Sequence, residues 1–168
     1  AFLLEEWGVE RFRAVLETRW GRSFDSEGTD TRLSRHNDHL GVQPQMKPGL
    51  YSVGLCVPTG RMVSEQVDDL AHLAEVYGSG EIRLTIGQNA ILVNVAEDRL
   101  DDLMAEPLLE QFSSNPHPNI AGLVTCTGSD YCSLALIDTK SVGRWITEEL
   151  IKQYPEAPPV TMHWSGCP

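Results

Sequence analysis

Three cysteines have the surroundings of metal ligands. Cys126 and Cys132 are separated by five residues (127–131), and Cys167 follows after 34 more (133–166). Small, polar, turn-forming residues flank them, so backbone N–H groups are available to donate hydrogen bonds to sulfur. Iron–sulfur clusters are held by thiolates in such turns, usually by four. The sequence therefore predicts a cluster site whose fourth ligand lies beyond the end of this chain, and it predicts that the chain is a fragment.

Other roles fit the same three residues. His163 could complete a zinc site of three cysteines and one histidine, although the five residues between Cys126 and Cys132 exceed the usual spacing of about two to four. Alternatively, the thiols are unliganded and buried, as free cysteines often are. A disulfide between Cys126 and Cys132 is disfavoured because the chain has only 4 cysteines and no apparent signal peptide. The residue types leave these alternatives open.

The remaining cysteine has different surroundings. Cys56 lies between Leu55 and Val57 in a segment of alternating apolar residues. A thiol in such a strand behaves as a small apolar side chain. We therefore expect Cys56 to pack and assign it no ligand role.

The composition limits the class of protein. With 168 residues and 41% hydrophobic content, the chain is long enough for a core of one or two domains. Its 24 acidic residues outnumber its 13 basic ones, which gives a net charge of −11 and no basic patch for a phosphate backbone. Nucleic acid is therefore not an expected partner.

The sequence also indicates the compartment. No apolar stretch approaches the roughly 18 residues that a membrane span requires, and the first ten residues include Glu5 and Glu6, unlike a signal peptide. We expect no integral membrane segment. The 4 cysteines are too few for a disulfide scaffold, which favours a reducing compartment, namely the cytoplasm or a plastid stroma.

The cysteines must be positioned by an ordered set of helices and strands. Apolar spacing predicts a helix over residues 2–20, or two pieces broken near Gly8, followed by a linker over 21–49. A helix begins with Ser64 as its N-cap and ends at Gly78. The further predicted strands are 51–57, 81–86, 90–95, 121–125 and 160–164, and the further predicted helices are 97–112, interrupted at Pro107, and 130–154.

The order of these elements predicts an α+β fold. The sequence β-α-β-β-α, completed by strand 121–125, is that of a ferredoxin-like split βαβ sandwich. A helix beginning at Asp130 would place the positive end of its dipole beside Cys132, where it would stabilise an anionic cluster.

Two segments resemble the cluster-binding signature of assimilatory nitrite and sulfite reductases. These are LVTCTGSDYC at 123–132 and MHWSGCP at 162–168, against a family pattern of C-x5-C, about 34 residues, and C-P-x-x-C. Segments 41–45, 48–54 and 83–89 are also similar to the ferredoxin-dependent nitrite reductases of oxygenic phototrophs. The resemblance covers nearly the whole chain and favours nitrite over sulfite.

This resemblance implies three segments of a larger enzyme. They are a helix and linker at 1–48, a ferredoxin-like half-domain at 49–119, and the truncated start of a mixed α/β domain that binds siroheme and a [4Fe-4S] cluster at 120–168. Cys126, Cys132 and Cys167 would be three of the four cluster ligands. The fourth family cysteine, which bridges the cluster to siroheme, would fall three residues after Pro168.

The resemblance also implies the reaction. In the family, ferredoxin donates single electrons to the cluster, which passes them to siroheme, where nitrite is reduced to ammonium. The parent enzyme would be monomeric, and the fragment alone would be inactive. An assimilatory sulfite reductase is the alternative within the family, and a non-catalytic metal-binding module with three cysteine ligands is the alternative of another class.

Three more residues are candidates for contact with the cofactors. Arg83, Gln88 and Asn89 lie in the predicted strand–turn–strand at 81–95, at one edge of the half-domain. The alternative is that Arg83 is an exposed strand cation and Asn89 a turn former that tolerates positive φ.

Overall fold

The computed structural model describes residues 2–25 and 38–168. The chain divides into two compact units, and these two described ranges belong to one unit each. Part of the predicted linker, residues 26–37, lies outside the described residues. The division of the chain at 48 and 119 stays a prediction.

The first unit contains one kinked helix, α1 (Phe2–Trp20). Gly8 interrupts it with φ 73° and ψ 163°, which confirms the predicted break. The Arg13 guanidinium pairs with the Glu17 carboxylate at 3.2 Å, and Glu17 also accepts a hydrogen bond from the Phe24 N–H at 2.9 Å. No residue of α1 is buried, so local hydrogen bonds and this ion pair hold the segment after the helix.

The second unit is built on an antiparallel sheet of four strands in the order β1-β2-β4-β3. The strands are β1 (Gly41–Pro44), β2 (Leu50–Leu55), β3 (Ile82–Leu84) and β4 (Ala90–Ala96). Helix α2 (Ser64–Tyr77) connects β2 to β3, and β4 inserts between them. This is the split βαβ unit that the element order predicts.

The prediction of which strands form this sheet is wrong for one strand. Residues 123–125 do not join it. Its fourth position is taken by β1, which pairs with β2 from Gly41 opposite Gly54 to Pro44 opposite Tyr51. Sequence reasoning assigned 41–44 to the linker because a four-residue edge strand with Gly and Pro at its ends lacks recognisable alternation. The prediction of an α+β architecture is unaffected.

The core lies between this sheet and its helices. Leu70, Leu73 and Ala74 of α2 pack against the buried face of the sheet. The predicted helix 97–112 is a 3₁₀ turn at Glu97–Arg99 and two short helices, α3 (Leu100–Met104) and α4 (Leu108–Gln111), separated at Pro107. Val63, not Ser64, is the N-cap of α2, and its N–H donates to the Gln66 side chain at 3.0 Å.

A smaller assembly follows the sheet. After α5 (Pro118–Ala121), strand β5 (Leu123–Thr125) pairs in parallel with β6 (Met162–Trp164), and helix α6 (Thr139–Gln153) connects them. The predicted start of this helix at 130 is wrong. Asp138 is the N-cap, and its carboxylate accepts from the backbone N–H groups of Lys140 and Ser141, both at 3.0 Å. An Asp that satisfies two N–H groups fixes the first turn there.

Among the helices within residues 2–25 and 38–168, none combines the length and apolar character that crossing a membrane requires.

Candidate metal centre

The structure brings the three predicted thiols to one cavity of about 440 Å³. Cys126, Cys132 and Cys167 all line it, together with Thr127, Tyr131, Ser133, Leu134, Ala135 and Ser165. Cys126 directly follows β5, and Cys167 lies three residues after β6. Because parallel strands end at the same edge of a sheet, both chain segments arrive from one side. The Cys126 N–H extends this pairing by donating to the Trp164 carbonyl at 3.0 Å.

Cys132 reaches the cavity through a tight turn. Residues Gly128–Asp130 form a 3₁₀ turn, and the Cys132 N–H donates to the Gly128 carbonyl at 3.1 Å. Gly128 has φ +71°, and a Cβ there would lie 2.8 Å from the backbone nitrogen of Thr139. Only glycine therefore allows this turn to pack so closely on the start of α6.

The bonding and exposure of the thiols bear on two of the alternative roles, a disulfide and buried packing. All four cysteines are free; Cys126 and Cys167 are exposed, and Cys132 is partly buried. A Cys126–Cys132 disulfide is therefore absent from this structure, and buried packing does not describe the exposed pair. Cys56, in contrast, is 3% exposed, as expected for a packing residue. Burial raises the pKa of its thiol to about 11, and the charge of Asp38 adds to this.

The thiols line one cavity without forming a closed ligand set. Within residues 2–25 and 38–168, no three His, Cys, Asp or Glu side chains stand close enough together to hold a metal ion. His163, the alternative zinc ligand, is exposed on β6 and is not among the residues that line the cavity. The three thiols therefore share one cavity, and the structure does not arrange them as the ligands of one metal ion.

Of the three cysteines, Cys126 has the most polar contacts at its sulfur. The Thr139 hydroxyl lies 3.6 Å from its sulfur, and the Gly166 N–H donates to that sulfur at 3.3 Å. These contacts lower the pKa of the Cys126 thiol, and the Gly128 backbone and the charge of Lys140 act in the same direction. Thiolate is the form that ligates metal, so the site favours the reactive state of this residue.

The helix dipole acts on a different cysteine from the one predicted. Because α6 begins at Thr139, its N-terminus lies beside Cys126, whose carbonyl accepts from the Thr139 hydroxyl at 2.7 Å. Cys132 lies in the irregular segment before the helix. Sequence reasoning missed Thr139 and Lys140 because it placed them in the interior of a helix. The Asp138-Thr139 pair, an N-cap signature, was the signal that could have located them.

Gln88 connects the large sheet to the cysteine-bearing strand. It lies in the turn between β3 and β4 with φ +67°. Its side-chain nitrogen donates to the Thr125 carbonyl at 2.6 Å, and its side-chain oxygen accepts from the Thr125 N–H at 3.2 Å. Thr125 is fully buried and directly precedes Cys126. The side-chain amide of Gln88 thus makes the two backbone hydrogen bonds that a neighbouring strand would make, and it fixes the end of β5.

Asn89 and Arg83 do not line the cysteine cavity. Asn89 is 4% exposed, and its side chain accepts from the Val57 N–H at 3.0 Å and donates to the Asp38 carboxylate at 2.7 Å. Arg83 is exposed, pairs with Glu81 at 2.7 Å, and lines a separate cavity of about 510 Å³. The structure therefore does not bring the three predicted cofactor contacts to one point. Their contact with a cofactor stays a prediction.

Comparisons with known proteins agree with the resemblance. Residues 43–109 match the family described as the nitrite/sulfite reductase ferredoxin-like half domain, which confirms the ferredoxin-like part of the fold class. A ferredoxin–nitrite reductase of Synechococcus elongatus is 44% identical over 167 residues, 99% of this chain and 33% of the relative. A chloroplastic ferredoxin–nitrite reductase of Zea mays is 43% identical over 174 residues, 99% of this chain and 30% of the relative.

A more distant relative and a solved structure extend the match. An assimilatory ferredoxin-dependent nitrite reductase of Haloferax mediterranei is 38% identical over 182 residues, covering 99% of this chain and 31% of the relative. The structure of the NirA protein of Mycobacterium tuberculosis aligns with a TM-score of 0.78 and 29% identity, over 99% of this chain and 31% of that one. The chain thus spans about a third of the length of these relatives.

Replacing Gln88 should loosen the end of β5. Gln88→Ala leaves the buried N–H and carbonyl of Thr125 without their partners, and each such loss costs about 1–3 kcal/mol. We expect the free energy of unfolding in urea to fall by roughly 2–4 kcal/mol. Gln153→Ala, at an exposed position near the end of α6, is the control and should change it by less than about 0.5 kcal/mol. Equal effects of the two changes would contradict the role of Gln88.

The reactivity of Cys126 should show its lowered pKa. A lower pKa means that the thiolate forms, and alkylation reaches its plateau, at a lower pH. We expect the midpoint of the iodoacetamide rate against pH, followed by mass spectrometry of the Cys126 peptide, to lie lower in the folded chain than in urea. A midpoint equal to or above that of the unfolded chain would show that the contacts do not stabilise the thiolate.

Proposed function

We propose that this chain, whose residues 43–109 match the nitrite/sulfite reductase ferredoxin-like half domain, is a segment of a longer ferredoxin-dependent nitrite reductase. The observation that carries the proposal is the cavity at which Cys126, Cys132 and Cys167 meet. Relatives with ferredoxin–nitrite reductase names match 99% of the chain, which supports the proposal.

The donor set fits a [4Fe-4S] cluster. The three thiols line one open cavity, the pKa of the Cys126 thiol is lowered, and a backbone N–H already points at its sulfur. A thiolate from residues outside this chain would complete the four ligands. In the proposed enzyme the cluster supplies one-electron transfer from ferredoxin, and siroheme supplies the site of nitrite reduction.

The residues of this chain would hold and orient the cluster rather than react. The parallel pair β5–β6 places Cys126 and Cys167, and the turn at Gly128 places Cys132. The Gly166 N–H and the N-terminus of α6 place the positive ends of their dipoles beside Cys126, and the Thr139 hydroxyl lies 3.6 Å from its sulfur. Such groups stabilise the additional negative charge of a reduced cluster.

Arg83, Gln88 and Asn89 remain proposed cofactor contacts of this chain. Gln88 has the strongest support because it touches the residue before Cys126. The guanidinium of Arg83 is exposed at an open cavity, where it could meet an anionic group in the complete enzyme. Asn89 has the weakest support of the three, because its side chain is buried and bonded to Val57 and Asp38.

The partners and the compartment follow from the same proposal. Ferredoxin would be the electron donor, nitrite the substrate, and the complete enzyme a monomer in the cytoplasm or a plastid stroma. Because the family's donor is itself acidic and this chain has a net charge of −11, we place the ferredoxin-docking surface mainly on other parts of the enzyme.

Sulfite reduction is the alternative within the family, and a metal-binding module with three cysteine ligands is the alternative without catalysis. Assays of the longer protein with nitrite and with sulfite distinguish a nitrite reductase from a sulfite reductase. A nitrite reductase should turn nitrite over with a higher kcat/KM than sulfite. A binding module would turn over neither and would contain zinc in place of iron and sulfide.

Substitution of the cysteines tests the cluster assignment in the longer protein. Cys126→Ser should abolish the electron paramagnetic resonance signal of the reduced cluster, because a ligand is lost. Cys56→Ser should preserve that signal and lower only the stability, since its thiol is buried in the core. A signal that survives the first change, or that is lost only in the second, would overturn the assignment.

A further inference from the structure

We infer that Lys140 is a fixed, partly buried cation that raises the reduction potential of the cluster held by the three cysteines, an inference that rests on the proposed function. The structure contains no other lysine or arginine, among the described residues, that is anchored to the strand leading to a cysteine. Lys140 is not among the site residues that the sequence predicts.

The ammonium group of Lys140 is tied to two separate parts of the fold. It donates to the Thr59 carbonyl at 2.5 Å and to the Thr125 hydroxyl at 3.4 Å. Thr59 is 5% exposed and Thr125 fully buried. Lys140 is also the second residue of α6, so its backbone lies at the end of the helix that faces Cys126. The charge is therefore held beside the residue that precedes Cys126.

No carboxylate neutralises this charge directly. Among the described residues, the ion pairs of the second unit join Arg61 with Asp130, Arg83 with Glu81, Arg144 with Glu148 and Lys152 with Glu149, and none includes Lys140. Burial and the charge of Arg61 lower the pKa of Lys140 below its usual value, and the charges of Cys126 and Asp130 only partly oppose this. Both of its hydrogen-bond acceptors are oxygens, which stabilise the protonated form.

The sign of the effect follows from the charges. A cluster with four thiolate ligands is anionic and gains one more negative charge on reduction. A nearby fixed cation stabilises the reduced form more than the oxidised form, and partial burial limits screening by water. The helix N-terminus acts with the same sign. Lys140 should therefore shift the equilibrium toward the reduced cluster.

A purely mechanical role is the alternative, since the two hydrogen bonds also join the turn at Pro58–Gly60 to β5. The two roles respond differently to substitution. Lys140→Gln removes the charge but keeps a side-chain donor, and Lys140→Arg keeps both. If Lys140 is only a tether, these variants should have the same potential as the native protein.

The test is a redox titration of the longer holoprotein, with the electron paramagnetic resonance signal of the reduced cluster as the readout. We expect Lys140→Gln and Lys140→Met to lower the equilibrium constant for one-electron reduction roughly tenfold, the effect that one close charge commonly has on a protonation equilibrium. Lys140→Arg should remain near the native value. Lys152→Met removes the same charge from an exposed position on the same helix and should change nothing.

Each outcome decides between the roles. Native potentials in both neutral variants would overturn the inference and leave the proposed function intact. Absence of a cluster from the unmutated holoprotein would instead overturn the proposed function. If neither neutral variant retains the cluster, retention in Lys140→Arg supports a requirement for the charge, and loss in Lys140→Arg as well overturns it.

Discussion

The parallel pairing of β5 and β6 is the interaction on which the cysteine site depends. It is short, from Leu123 opposite Met162 to Thr125 opposite Trp164, and it brings together segments that are about 40 residues apart. Parallel strands require a crossover, and α6 supplies it. The start of that crossover helix then returns to the same edge, so the pairing that positions two thiols also positions the helix N-terminus beside one of them.

The larger sheet supports this pair from outside. Gln88 at the β3–β4 turn bonds to both backbone groups of Thr125, and Lys140 joins Thr125 to the turn at Thr59. All these contacts meet at the residue before Cys126. The ferredoxin-like half-domain thus contributes to the cysteine site through the hydrogen bonds of Gln88 and the Thr59 carbonyl, although none of its own side chains lines the cysteine cavity.

The sequence predicted the parts that local patterns determine and failed where tertiary contacts decide. The C-x5-C spacing, the break at Gly8, helix α2 and the two central strands were visible because glycine, apolar periodicity and alternation act locally. Strand β1 was missed because its pairing with β2, rather than its own residues, makes it a strand. The start of α6 was misplaced because the segment 131–138 contains several residues compatible with a helix, whereas the cap contacts of Asp138 set the boundary. The role of Gln88 could not be predicted, since its partner lies 37 residues away.

We propose that three thiols of this chain, with a fourth from outside it, hold an iron–sulfur cluster. The most direct test is the metal and acid-labile sulfide content of the longer protein, purified without oxygen. We expect iron and sulfide in the proportions of a [4Fe-4S] cluster, with additional iron from siroheme and with the cluster sulfide lost in Cys126→Ser. Bound zinc without sulfide would contradict it and would favour a metal-binding module.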